Sequence, residues 1–221
     1  MKFEERSTNF SRSRRRLLVA AATGTLAALI GGCQPGGEPA PQYQGTDITA
    51  VQWGRDFDLT DHDGQRRTLA DFSGKVVLLF FGYTNCPGPC PTALAEMAQV
   101  VNQLGPDRKQ VQGLFVTVDP DRDTADRLAA YLRAFHPSFL GLRGSTLELE
   151  TVTKEFKVFY QTQKEDQGSA SSHGAGHDNY MVDHSTGIYV LDKSGRARLY
   201  FSASKRTVEA MVHDVKLLLK P

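Results

Sequence analysis

The feature that most constrains this chain is a short apolar run feeding a pair of cysteines. Lys75–Phe81 reads KVVLLFF, and Gly82-Tyr83-Thr84-Asn85-Cys86-Pro87-Gly88-Pro89-Cys90-Pro91 follows directly. A continuous apolar run of this length predicts a strand buried on both faces, as in the middle of an α/β sheet. Cys86, Gly88 and Cys90 each precede a proline, which pushes their backbones away from the helical region. The segment is therefore expected to be a stiff loop. A helix should begin at Pro91, a favoured first helical position, and run to Leu104. Cys90 then lies near the helix N-cap, where backbone N–H groups favour negative charge and should lower a thiol pKa.

Other segments fill in the fold. Asp56–Thr60 reads as a strand turned at Asp61-His62-Asp63-Gly64, and Val111–Val118 as another strand. Thr124–Phe135 has Leu128, Tyr131, Leu132 and Phe135 at helical spacing. Phe139–Leu142 reads as a short strand and Thr146–Phe156 as a helix. Ile188–Leu191 and Arg198–Phe201 form a hairpin around Asp192-Lys193-Ser194-Gly195. Ser204–Leu219 closes the chain as an amphipathic helix. This order predicts an α/β fold: a thioredoxin-like central mixed sheet flanked by helices, with an added N-terminal β-hairpin.

The first 32 residues read as an export signal. Arg12–Arg16 is a basic region, and the apolar Leu17–Ile30 spans 14 residues. Crossing a bilayer takes about 20, so the stretch suits a signal peptide rather than a spanning helix. Ile30-Gly31-Gly32-Cys33 resembles a bacterial lipobox, which makes Cys33 the expected lipidation site. Ser13-Arg14-Arg15-Arg16-Leu17-Leu18 also resembles a twin-arginine signal. Residues 33–50, rich in Pro, Gly and Gln, read as lipidated Cys and flexible tether, and residues 51–221 as the folded domain. The expected location is extracytoplasmic, on a bacterial membrane and facing the periplasm. Without residues 1–32 the chain loses six of 26 basic and two of 25 acidic residues, leaving a net charge of −3. That balance argues against nucleic acid as a partner.

With Cys33 assigned to lipid, Cys86 and Cys90 remain, in a compartment that favours disulfides. A structural disulfide is the plain reading, but closing a three-residue gap constrains the unfolded chain little. A redox or metal role fits better. Of the six histidines, His62 is expected in an exposed turn, His136 at a helix end, and His213 on the last helix. His173 and His177 sit in a His/Gly/Ser-rich loop, 165–180, where binding a metal costs ordering entropy. His184, in Val182-Asp183-His184-Ser185 just before the strand at Ile188, belongs to a loop facing the cysteines. Two thiolates and one imidazole suit Cu(I), Cu(II) or Zn(II), and leave a position open for exchange.

Three segments together resemble the Sco/SenC family: Phe81–Pro91, Val116-Thr117-Val118-Asp119-Pro120-Asp121-Arg122-Asp123-Thr124, and Val182–Ser185 leading into the final hairpin. Ala134-Phe135-His136-Pro137 adds to the likeness, which runs over roughly 53–218. The resemblance implies a membrane-tethered thioredoxin-like domain that binds copper through Cys86, Cys90 and His184. It implies a role in building the CuA centre of cytochrome c oxidase, with subunit II as copper acceptor and a periplasmic thiol reductant or copper donor as further partner. By position Asp119 matches an acidic residue near the family's site, while Asp123 reads as an N-cap for the following helix. Gly88 and Pro89 stand where the family usually carries Asp and an aliphatic residue. The competing activity is a thiol-disulfide reductase using Cys86 and Cys90. A general thioredoxin is disfavoured by the CxxxC spacing and the lack of proline in Val182–Ser185. A peroxiredoxin-type peroxidase is disfavoured by the lack of its motif.

Overall fold

The computed structural model describes residues 41–163 and 180–220. The expected signal (1–32), Cys33, and the loop histidines His173 and His177 lie outside the described residues.

Among the described residues ten strands form in chain order: β1 (Thr46–Asp47), β2 (Leu59–Asp61), β3 (Arg66–Arg67), β4 (Val76–Gly82), β5 (Val111–Thr117), β6 (Leu140–Arg143), β7 (Tyr160–Gln163), β8 (Met181–His184), β9 (Ile188–Leu191) and β10 (Ala197–Phe201). The α-helices among the described residues are α1 (Pro89–Gln103), α2 (Ala125–Arg133), α3 (Thr146–Glu155) and α4 (Val208–Leu219). Eight strands make one sheet in the order β1-β10-β9-β4-β5-β6-β2-β3. β4 and β5 are parallel in register from Val76↔Val111 to Gly82↔Thr117, and β5 and β6 are parallel too. β9 runs antiparallel to β4 on its other side. The mixed sheet is the expected one, and every residue of β4 and β5 is buried.

Side chains alternate across β4, so its aromatic residues serve both faces. Phe80 meets Phe115, and Phe115 meets Tyr131 of α2. Phe81 meets Phe156, the C-cap of α3, and Tyr189. Helices α2 and α3 therefore cover opposite faces. Helix α1 buries Cys90, Ala93, Leu94, Met97, Ala98, Val100 and Val101 at helical spacing.

The expected hairpin is present as β2 and β3, turned at Gly64 with φ +84°. It does not stand apart: β2 pairs with β6 and extends the main sheet. Its turn contradicts the expected exposure of His62. The His62 side chain keeps 11 % of its surface, and its Nδ1 accepts the Gly141 N–H at 3.0 Å. The folded unit also begins before residue 51. β1 pairs with β10, and the buried Asp214 carboxylate accepts the Gln44 N–H at 3.0 Å and the Gly45 N–H at 2.8 Å.

Helix α3 opens on a capping box. The Ser145 hydroxyl accepts the Glu148 N–H, and the Glu148 carboxylate accepts the Ser145 N–H at 2.7 Å. That backbone donor, with Arg66 and the Ser145 hydroxyl, holds the Glu148 carboxyl down to about 2. A depressed folded-state pKa gives stability that is present above the ordinary value and lost as pH falls through about 2. Glu148→Ala is expected to cost about 1 kcal/mol at neutral pH. In urea melts repeated down the pH scale, its gap from wild type should close in acid.

Candidate metal centre

The site sits where β4 hands the chain to α1. Gly82 ends the strand, and the loop from Tyr83 to Gly88 leads to Pro89 at the first helical position. The helix begins two residues earlier than expected, because Pro89 itself provides the pre-set φ. Cys90 thus lies inside the first turn. A Cβ on Gly82 would stand 2.7 Å from the Cys90 Sγ, 2.9 Å from Phe80 Cε1 and 3.0 Å from Phe115 Cε2. Only a residue without a side chain lets the sulfur lie over the strand end.

His184 comes from a different piece of structure. β7 and β8 form a two-stranded sheet of their own, with Tyr160 opposite His184. The segment around His184 is thus the end of a ribbon, where a plain loop was expected. Beyond it, the Ser185 N–H donates to the Phe159 carbonyl, and Arg206 donates to the Thr186 carbonyl at 2.6 Å. The same Arg206, almost fully buried, pairs with Glu96 on α1. One guanidinium therefore braces the cysteine helix against the histidine segment.

The three side chains converge. The donor atoms of Cys86, Cys90 and His184 lie within 4.8 Å of one another, and this is a group of metal-ligand type among the described residues. Cys86 and Cys90 are both free thiols and both buried. The Cys90 Sγ is 3.2 Å from His184 Nε2. His184 Nδ1 lies 2.9 Å from the Ser185 carbonyl, which can only accept. Nδ1 therefore carries the proton, and Nε2 presents a lone pair to the sulfurs, the tautomer a metal needs. Burial also lowers the His184 pKa, favouring the neutral ring. Phe80 and Tyr83 meet the imidazole edge-on, at 6.0 and 5.7 Å between ring centres.

The expected lowering of the thiol pKa is overturned at Cys90. Burial pushes its thiol well up, because full removal from water outweighs the helix terminus. A sulfur in this position stays protonated until something positive replaces the proton.

Asp123 is also corrected. Thr124 is the N-cap of α2, its hydroxyl accepting the Arg127 N–H at 3.3 Å. Asp123 turns inward, fully buried, and accepts the Thr84 N–H at 3.0 Å, the Thr84 hydroxyl at 2.5 Å and the Thr117 hydroxyl at 2.6 Å. It fixes the residue two before Cys86. Asp119 is buried, and its carboxylate is held by Arg122 and by the Tyr180 hydroxyl, each at 2.5 Å. Arg122 lies over the Tyr83 ring at 5.6 Å, and Asp119 is not among the three residues whose donor atoms converge. His136 accepts the Ser138 N–H in the turn after α2, and His213 pairs with Asp214; neither joins the site.

Comparison with known proteins places this geometry. The SCO1/SenC family matches the chain over residues 46–220. The chain belongs to that family. It is 40 % identical over 212 residues to the mitochondrial SCO2 homolog of Bos taurus, covering 92 % of this chain and 74 % of the relative. The copper-bound structure of Bradyrhizobium japonicum ScoI is 36 % identical, covers 76 % of this chain and 99 % of its own, and superposes with a TM-score of 0.65. Apo Sco1 of Thermus thermophilus is 38 % identical, with coverage of 80 % and 98 % and a TM-score of 0.68. The sheet and helices are those of a thioredoxin-like Sco domain. Gly82 and Arg206 escaped the sequence reading as supports of the site, and Asp123 was given another role. Only Gly82 carried a signal, as a glycine closing an otherwise bulky buried strand.

Proposed function

We propose that this protein binds copper through Cys86, Cys90 and His184 and passes it to cytochrome c oxidase subunit II for the CuA centre. The convergence of two buried thiols with an imidazole lone pair carries the reading. Soft sulfur ligands suit copper as they suit zinc, and three protein ligands leave a place for an incoming ligand of the acceptor. Binding replaces the thiol protons with the metal and releases them to water. The copper-bound state of the Bradyrhizobium relative supports the choice of metal. The domain acts outside the cytoplasm, tethered through lipid on Cys33. Among the described residues no helix is long and apolar enough to cross a membrane. A periplasmic thiol reductant keeps the cysteines ready.

The second reading is a thiol-disulfide reductase: Cys86 and Cys90 become a disulfide while an acceptor's disulfide is reduced to two thiols. The proximity of two free thiols favours it. Titration of the reduced domain with copper, and with zinc as control, separates the two. Wild type should take up one tight equivalent of copper, lost in Cys86→Ser, Cys90→Ser and His184→Ala. A His184→Ala variant that binds like wild type, or a tight site surviving loss of both thiols, would sink the three-ligand site and make the reductase the leading account.

A further inference from the structure

Arg122 is buried in the turn between β5 and α2, and it does more than pair with Asp119. A buried ion pair is by itself a weak source of stability. This guanidinium also reaches 58 positions along the chain: its Nη1 donates to the Tyr180 carbonyl at 2.8 Å, and its central carbon lies 3.5 Å from the centre of the Tyr180 ring. The Tyr180 hydroxyl donates to Asp119 Oδ1 at 2.5 Å, while Arg122 holds Oδ2. The ring, hydroxyl and carbonyl of one tyrosine are thus all gripped by the same ion pair. Only arginine suits this task, because its planar fork can stack on a ring while donating in two directions.

Tyr180 directly precedes β8, the strand that ends in His184. Among the described residues β8 pairs only with β7, so the main sheet does not fix its place. An extended strand carries the position of its first residue to its last, here about 13 Å from Tyr180 to His184. Midway, the Val182 N–H donates to the Tyr83 hydroxyl at 3.3 Å. The Tyr83 ring lies beneath the same Arg122 and edge-on to the imidazole. Arg206 ties only the segment after His184. We infer that Arg122 and Tyr180 are positioning residues for the nitrogen ligand, clamping the start of the strand whose end carries His184. The clamp sets where Nε2 stands relative to the sulfurs, and Asp119 serves as its anchor. The inference rests on the copper reading above.

Two variants of the reduced protein test this. Tyr180→Phe removes the hydroxyl and keeps the ring beneath Arg122. Arg122→Lys keeps a charge for Asp119 and loses the stacking and the second donor. Without metal, hydrogen exchange at the β8 amides should quicken about tenfold or more, the effect of losing a hydrogen bond to a charged acceptor, while the β4 amides stay protected. Copper affinity should fall about tenfold in either variant, the lower range for losing an outer support of a metal ligand. The nitrogen hyperfine splitting of the Cu(II) form should also weaken, a readout that a tyrosine serving stability alone would not move. Unchanged affinity in both variants, against a wild type that binds copper, would overturn the clamp. A weaker site with wild-type nitrogen splitting would overturn it too, because the loss would then run through the sulfurs. So would exchange that quickens equally in β4 and β8, since the cluster would then support the whole fold. Failure of wild type itself to bind copper would instead remove the reading on which the inference stands.

Discussion

Gly82→Ala is expected to lower copper affinity about 100-fold, the upper range for disturbing what supports a metal ligand. The added methyl would stand 2.7 Å from the Cys90 sulfur, with the Phe80 and Phe115 rings at 2.9 and 3.0 Å. The rings belong to the fully buried centre of the sheet and have nowhere to go. The sulfur is the softer neighbour, so it moves, and it moves off the point that faces His184 Nε2 at 3.2 Å. The backbone at Gly82 asks for no left-handed conformation, so the whole effect is steric. Overpacking of this kind should also cost about 1–3 kcal/mol of stability. Copper titration beside a urea melt checks both. Wild-type affinity in a well-folded Gly82→Ala protein would show that the sulfur need not lie over the strand end.

Asp123→Ala should be the most destabilising of the substitutions considered, at about 3 kcal/mol. It strips a buried carboxylate from three donors, the Thr84 N–H and the Thr84 and Thr117 hydroxyls, each then left without its acceptor. Asp123→Asn keeps the volume and isolates the charge. Burial is the main reason the Asp123 carboxyl is raised above its ordinary value, against the pull of its threonine donors. A raised folded-state pKa means that its contribution is fullest in acid and declines as pH rises through the raised value. The deficit of Asp123→Asn relative to wild type should therefore be greatest at low pH and narrow towards neutrality. A deficit that instead widened with rising pH would show that hydrogen bonding to the charged form outweighs burial.

These residues also mark where the sequence was readable and where it was not. The run KVVLLFF could only be a buried strand, and the prolines around the cysteines fixed a strand-to-helix junction to within two residues. Those signals are local, so they survive without knowledge of the fold. Asp123 and Thr124 are both good N-cap residues in adjacent positions. Which one caps and which turns inward depends on Thr84 and Thr117, far away in sequence. His62 sits in a turn of polar residues and reads as exposed until Gly141, 79 positions on, supplies its N–H. The β7–β8 ribbon was missed because its strands are short, mostly exposed on one side and far apart in the chain. The thiol pKa failed for a different reason: the helix terminus was visible in the sequence, but the depth of burial that overrides it was not.

The separation of that ribbon from the main sheet has a consequence for handover. Cys86 and Cys90 ride on the junction of a seven-residue buried strand and a helix. His184 rides on two four-residue strands that pair only with each other. Isolated two-stranded ribbons are marginal by themselves, and such units open more readily than the sheets beside them. The nitrogen ligand therefore rides on a ribbon outside the main sheet, tied to the cysteine helix through Arg206. Under the proposed handover, those Arg206 ties are what an incoming partner would have to loosen to release the nitrogen ligand before the sulfurs.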